Sequence, residues 1–202
     1  VDYFDPSTTL ESEEDALISK WGMDKSKKII LMPGRLTPWK GQEVFIEALN
    51  LVNKKLGCET FHAIILGSNQ GRDIYTKKIK RLAEQYRLTN HLKFIEHCKN
   101  MPLAYKISDL IISASIEPEA FGRIVVEAQS MEKPIIASNI GGSNETIDNN
   151  KTGFLFEAGN SDSLSKKIIE ALTLEETKLK LMGIEGRKNT IKKFNVEKMC
   201  FS

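Results

Sequence analysis

A chain of 202 residues with 41% hydrophobic and 28% charged residues has the size and balance of one globular domain or slightly more. A formal net charge of +2 gives no argument for nucleic acid as a partner, and no apolar run approaches the ~20 residues of a membrane span. Cys58, Cys98 and Cys200 are widely spaced without a CxxC, and His62, His91 and His97 form no ligand-spaced pair, so neither a disulfide framework nor a metal site is expected, and reduced thiols in a cytoplasmic protein are.

Residues 1–27 are acidic and polar and read as a linker and lead-in without a signal peptide. The first residue is Val rather than Met, so the chain is expected to be a piece of a longer protein. Over residues 28–173 apolar runs alternate with helical ones. Strands are predicted at Lys28–Met32, Phe61–Leu66, Leu92–Ile95, Leu110–Ala114, Pro134–Ala137 and Gly153–Phe156. Helices are predicted at Gln42–Leu56, Tyr75–Tyr86, Leu103–Ile107, Gly122–Met131 and Asp162–Leu172. The strands are Ile/Leu/Val-rich runs rather than clean alternations, as expected when both sheet faces are covered. Repeated βα units with right-handed crossovers imply an α/β fold, a Rossmann-like doubly wound parallel sheet. Residues 174–202 form a Lys-rich helical tail with interruptions at Gly183 and Gly186. It reads either as a solvated helix face or as a basic helix for an anionic membrane surface.

Two stretches carry chemistry. Gly34-Arg35-Leu36-Thr37-Pro38-Trp39-Lys40-Gly41 lies between the first strand and the first long helix, where open α/β sheets bind ligands. Its glycines permit close approach of the backbone to a ligand. Arg offers a planar fork and Lys a point charge for phosphate oxygens. A basic surface loop with two solvated side chains explains the same residues. The second stretch, Ser115 to Ala128, follows the fourth strand and places Glu119 before a helix and Glu127 one to two turns inside it. The carboxylates could reach opposite ends of one elongated polyhydroxyl ligand. Free amides near Phe121, Gly122 and Arg123 would make an anion site. Singly, Glu119 also reads as a helix-dipole partner and Glu127 as a solvated helix residue. Two further loops follow strands: Gly67–Gly71, a polar turn that could approach a ligand, and Gly141-Gly142, which permits either close approach to a sugar or a turn.

Together these segments resemble the retaining glycosyltransferases of family 4, which have the GT-B fold. Arg35 and Lys40 match the G-R-L-x-x-x-K-G loop of that family, and Glu119 and Glu127 match its E-x7-E element. Val1–Pro6 looks like the linker into the second domain, and Gly141–Ile147 and Thr152–Phe156 continue the match. The resemblance implies the C-terminal, donor-binding half of such an enzyme, with the acceptor site mostly in an N-terminal GT-B domain. It implies a nucleoside diphosphate sugar as donor, no cofactor, and Arg35 and Lys40 in place of a divalent metal at the departing diphosphate. Glu127 would receive the ribose hydroxyls and Glu119 the donor sugar. Gly34, Phe121, Gly122 and Arg123 would complete the donor site, and the Glu96–Pro102 loop would line the base through its backbone. Family precedent implies front-face retention with no protein nucleophile. The form Glu119–Arg123 and the Trp39 loop look most like bacterial cell-envelope members acting on lipopolysaccharide or capsule precursors. Peripheral contact of the whole protein with the inner membrane surface is a further expectation, and because the last helix of the family returns towards the N-terminal domain, Leu179, Met182, Ile191 and Phe194 are expected to be partly exposed here. The alternative is a stand-alone nucleotide-sugar-binding module without catalysis.

Overall fold

A computed structural model of the chain describes residues 3–194. Val1, Asp2 and the end of the tail, with Cys200, lie outside the described residues. The first half runs α1 (Glu11–Lys20), β1 (Lys28–Pro33), α2 (Gln42–Leu56), β2 (Phe61–Leu66), α3 (Asp73–Gln85), β3 (Leu92–Ile95) and α4 (Met101–Lys106). The second half runs β4 (Leu110–Ser113), α5 (Arg123–Ser130), β5 (Ile135–Ser138), α6 (Ser143–Thr146), β6 (Phe154–Phe156), α7 (Ser161–Thr173) and α8 (Glu176–Lys193). All strand pairs are parallel, in the order β3-β2-β1-β4-β5-β6. This is the doubly wound, Rossmann-like order, with its reversal between β1 and β4.

Side chains alternate along β1 between two cores. Ile30 and Met32 pack with Phe45 and Leu49 of α2, Ile79 of α3 and Leu164 of α7. Ile29 and Leu31 pack with Tyr105 of α4 and Val125 and Ala128 of α5. Both faces are apolar, so the strands carry no alternation of polarity even though their side chains alternate in direction. Each of the six expected strands is present with its ends within one residue of expectation.

The lead-in contains α1, which the sequence pattern did not announce. Only Leu17 of this helix is buried, so it has no continuous apolar stripe to read. Its start is fixed by Glu13, which accepts from the Leu10 N–H at 3.1 Å, and by three acids in the first turn. Leu17, with Ile18 and Trp21, seats it on Leu103 and Ile107.

The tail departs from the sequence expectation in two ways. Gly183 and Gly186 do not interrupt it; α8 runs through both. A Cβ on Gly183 would lie 2.0 Å from the Glu132 carbonyl oxygen, and one on Gly186 would lie 3.1 Å from Gln129 Cγ. The glycines are where α8 crosses the end of α5 at close range, and that packing outweighs their ~1 kcal/mol helix penalty. Leu179 and Met182, expected to be partly exposed, are buried in the first core, whereas Ile191 is exposed and Phe194 is half-buried. Arg187 joins the tail to the lead-in, donating to Asp5 Oδ2 at 2.7 Å and to the Phe4 carbonyl at 3.3 Å. Among the described residues no helix is long and apolar enough to cross a membrane.

At the opening of β2, His62 is only 6% exposed, and neither of its ring nitrogens has a hydrogen-bond partner among the described residues. Its ring stacks near His91, with centroids 6.4 Å apart. Burial first, then repulsion from Lys27 and His91, pushes its pKa below the usual histidine value. The sign follows directly. The unfolded chain binds a proton near pH 6.5, the folded one only at lower pH, so stability is full above about pH 6.5 and falls as pH drops below it. We expect the urea midpoint to fall between pH 7.5 and 5.5, and His62→Phe to flatten that slope. An unchanged slope in the variant would assign it to other groups.

Candidate functional site

The reversal of strand order decides where the site lies. β1 and β4 are neighbours, with Ile30 opposite Leu110 and Leu31 opposite Ile111, but their chains leave the sheet towards opposite halves. A cleft of ≈ 650 Å³ opens at their carboxyl ends. The loops after β1, β2, β3 and β4 line it: Gly34, Arg35, Trp39 and Lys40; Gly67 and Ser68; Glu96, His97, Cys98 and Met101; and Glu119 through Ile124, with Glu127. All eight residues singled out from the sequence (Gly34, Arg35, Lys40, Glu119, Phe121, Gly122, Arg123 and Glu127) are in this one lining.

The β1 loop is firmly held. Its Leu36 N–H donates to the Ser68 carbonyl at 3.0 Å. The Gln42 amide donates to the Arg35 carbonyl at 2.8 Å and in turn accepts from Tyr75 Oη at 3.1 Å. The cations on this loop share one aromatic face: Lys40 Nζ is 4.6 Å from the Trp39 ring centre and Arg35 Cζ is 5.5 Å from it. Arg35 is exposed, whereas the Lys40 side chain keeps 11% of its surface. A solvated surface loop fits Arg35 but not Lys40.

Lys40 Nζ pairs with Glu119 Oε1 at 2.7 Å, across 79 residues of chain. Ser115 Oγ donates to the same carboxylate oxygen. The Ile116 N–H reaches back to the Trp39 carbonyl at 2.8 Å and so ties the β4 loop to the β1 loop. The sequence reading sent Lys40 to a diphosphate and Glu119 to a sugar without relating the two. The structure places them against each other, so the cation is oriented by a carboxylate before any ligand arrives. An ammonium has three donors, and one here is used on Glu119.

Glu127 is not a solvated helix residue. Its side chain retains 15% exposure, with Oε1 3.1 Å from Arg123 Nε and Oε2 accepting from Tyr105 Oη at 2.8 Å. Burial pushes its pKa above the usual glutamate value; the Tyr105 hydrogen bond and the charges of Arg123 and Lys40 partly offset this. Arg123 extends outward, 83% exposed. Helix α5 starts from Gly122 in the left-handed region, and its own bonds begin with the Val125 N–H donating to the Gly122 carbonyl at 2.9 Å. The amides ahead of that bond point towards the cleft end of the helix, where an anion is favoured. Phe121 is 48% exposed and meets Phe194 edge-on, with centroids 5.3 Å apart.

Three glycines around the cleft sit where two loops meet at close range. A Cβ on Gly41 would lie 1.9 Å from the Ala114 carbonyl oxygen, and one on Gly67 would lie 1.9 Å from the Gly34 carbonyl oxygen. A Cβ on Gly141 would lie 2.5 Å from the Glu119 carbonyl oxygen, the acceptor of the Gly142 N–H at 2.8 Å. These glycines let the loops pack backbone against backbone, and the loops in turn hold the side chains. Ser115 and Tyr105 are the residues that sequence reasoning passed over as individual site members. Ser115 was visible only as part of a motif. Tyr105 sits in a short apolar helix and reads as core, and nothing in the one-dimensional pattern marks its hydroxyl.

Comparison with known proteins agrees with this fold. A family model described as glycosyl transferases group 1 matches residues 13–189. A glycosyltransferase of Rickettsia africae has the same fold at TM-score 0.90 and 36% identity, over 98% of this chain and 52% of its own. HepE of Anabaena, solved in complex with UDP-glucose, superposes at TM-score 0.86 and 28% identity, over 97% of this chain and 53% of its own. The GDP-mannose-dependent alpha-(1-6)-phosphatidylinositol monomannoside mannosyltransferase of Mycobacterium tuberculosis is 26% identical over 161 residues, 76% of this chain and 40% of that protein. The chain thus spans about half the length of the relatives it matches. With a family model covering most of its sequence and a fold shared with a solved glycosyltransferase, the chain belongs to the group 1 glycosyltransferases.

Proposed function

We propose that this chain is the C-terminal, donor-binding half of a retaining glycosyltransferase of GT-B architecture. Its cleft takes a nucleoside diphosphate sugar whose sugar passes to a hydroxyl acceptor bound mainly by an N-terminal half. The observation that carries the reading is the Lys40–Glu119 pair, 2.7 Å apart at the switch point, with Arg35 on the same wall and Glu127 within one cleft of ≈ 650 Å³. As the glycosidic bond breaks, the diphosphate gains negative charge. Arg35, the unused donors of Lys40 and the first amides of α5 are cationic or dipolar groups already in place for that charge. The reading therefore needs no divalent metal, and the family resemblance implies that it needs no protein nucleophile. Glu119, oriented by Lys40 and Ser115, faces the donor sugar, and Glu127 receives the ribose hydroxyls. The half-length span relative to matched proteins supports the two-domain reading. We assign the acceptor to precursors of lipopolysaccharide or capsule, on the family resemblance of the Trp39 loop and Glu119–Arg123, and the whole protein to the cytoplasmic side, in peripheral contact with the inner membrane.

The ribose role of Glu127 makes a sharp prediction. Glu127→Gln removes the charge from a bidentate acceptor while keeping its shape. Nucleoside diphosphates should lose affinity by about 1.5–3 kcal/mol, whereas inorganic pyrophosphate, which has no ribose, should bind as before. Calorimetric titration with UDP, GDP and ADP first finds the base; the tightest of them is then compared with pyrophosphate. Equal losses for both ligands would place Glu127 at the phosphates, and no loss for either would return it to a structural role.

A further inference from the structure

The carboxylate of Glu127 is held from inside the domain by a residue with no exposure of its own. Tyr105 is fully buried on α4, yet its hydroxyl ends at Glu127 Oε2, 2.8 Å away. Its ring cannot swing away: it belongs to the core with Val125 and Ala128, and Phe4 of the lead-in meets it edge-on, with centroids 5.7 Å apart and planes at 87°. The other partner of Glu127, Arg123, is an exposed side chain on a solvated arm, so its contact is screened and easily lost. Of these two contacts to the carboxylate, an ion pair and a hydrogen bond, the hydrogen bond from Tyr105 is the buried and preorganised one. We propose that Tyr105 is a positioning residue for donor binding, its buried hydroxyl fixing the Glu127 carboxylate where it receives the ribose of a nucleoside diphosphate.

The proposal rests on the ribose role assigned to Glu127 above. Its physical content is the opposition of two terms. Burial favours the protonated acid, and the Tyr105 hydrogen bond favours the carboxylate, as do the charges of Arg123 on α5 and Lys40 on the β1 loop. Arg35, Glu96, His97 and Glu119 line the same cleft and also carry charge or titrate there. They are common to every variant below, so only the Tyr105 contribution changes. Without the hydroxyl, Glu127 takes up a proton at higher pH. A protonated acid is a poor acceptor for ribose, so affinity should fail at a higher pH.

The test is Tyr105→Phe, which keeps the ring and its contact with Phe4. Affinity for the tightest-binding nucleoside diphosphate and for pyrophosphate is measured from pH 5 to pH 8 in the wild type, Y105F, E127Q and the double variant. Y105F should weaken nucleoside diphosphate affinity roughly tenfold, with the loss greatest at the acidic end of the range. Pyrophosphate should bind Y105F and the wild type alike. In the E127Q background the Y105F substitution should have no further effect. Incorporating 3-fluorotyrosine at position 105, a stronger donor of nearly the same size, should move that affinity the other way. That variant decides the matter if Y105F folds poorly. A Y105F loss shared by pyrophosphate, or one that persists in full in the E127Q background, would reduce Tyr105 to packing and overturn the proposal while leaving Glu127 in place. An E127Q variant that binds nucleoside diphosphates normally would overturn both.

Discussion

Lys40→Ala is expected to lose diphosphate binding and fold stability together, and the two losses should be separable. On the binding side, the variant lacks an oriented ammonium at the phosphates, a loss of about 1.5–3 kcal/mol, or roughly ten- to a hundredfold in affinity. Titration in EDTA isolates the protein's own cations, and Lys40→Ala should then bind pyrophosphate and nucleoside diphosphate equally badly. On the stability side, the substitution strands Glu119, whose side chain is 21% exposed and retains Ser115 as its donor. Breaking a fully buried pair costs about 3–5 kcal/mol. With water and Ser115 still available to the carboxylate, about 2 kcal/mol is the expected loss here. The double variant Lys40→Ala/Glu119→Ala removes the stranded charge as well. It should regain most of the melting temperature and none of the affinity. Recovery of both would mean that the stranded Glu119 charge, rather than a missing cation at the phosphates, caused the loss of affinity. Unchanged affinity in the single variant would remove the diphosphate role altogether.

Gly41→Ala should be the most damaging single methyl in the molecule outside the apolar cores. Gly41 has φ +74°, and an added Cβ would sit 1.9 Å from the Ala114 carbonyl oxygen. Left-handed strain contributes about 1 kcal/mol. Forced backbone separation adds about 2 kcal/mol, since overpacking typically costs 1–3. For a domain of this size the sum corresponds to a fall of about 6–12 °C in melting temperature. The steric part falls on the residue just before Ser115, so the β4 loop must move and the Lys40–Glu119 contact must open. Diphosphate affinity should therefore drop although no ligand-facing side chain has changed. Gly159→Ala is the control, with φ +75° and no atom within 4 Å of the added Cβ. It should show the strain alone, about 1 kcal/mol, with normal binding. Similar melting temperatures for the two variants would show that the β1 and β4 loops are not locked together at this point.

The same two loops show how far a sequence reaches. Residues 28–33 and 110–113 are apolar runs bounded by turn signals, and burial on both faces follows from composition alone. The Arg35–Lys40 and Glu119–Glu127 stretches could be read as phosphate and sugar chemistry because residue type sets charge and hydrogen-bonding capacity wherever the residue sits. The α1 helix escaped because it buries one side chain, and periodicity is a signal of burial. The glycines of α8 misled because a glycine scores as a helix breaker unless the surface it crosses is known.

What the sequence determined by itself was the alternation of strands and helices, the doubly wound sheet, and the identity of the charged residues at strand ends. Those properties are local, or follow from a short repeating pattern of burial. What only the tertiary structure decided was pairing: Lys40 with Glu119 across 79 residues, Tyr105 with Glu127 across 22, and Gly41 against Ala114. Such contacts depend on which strands become neighbours and on distances of a few ångströms between loops. Coulombic and hydrogen-bond energies change steeply over that range, and one-dimensional spacing carries no information about it.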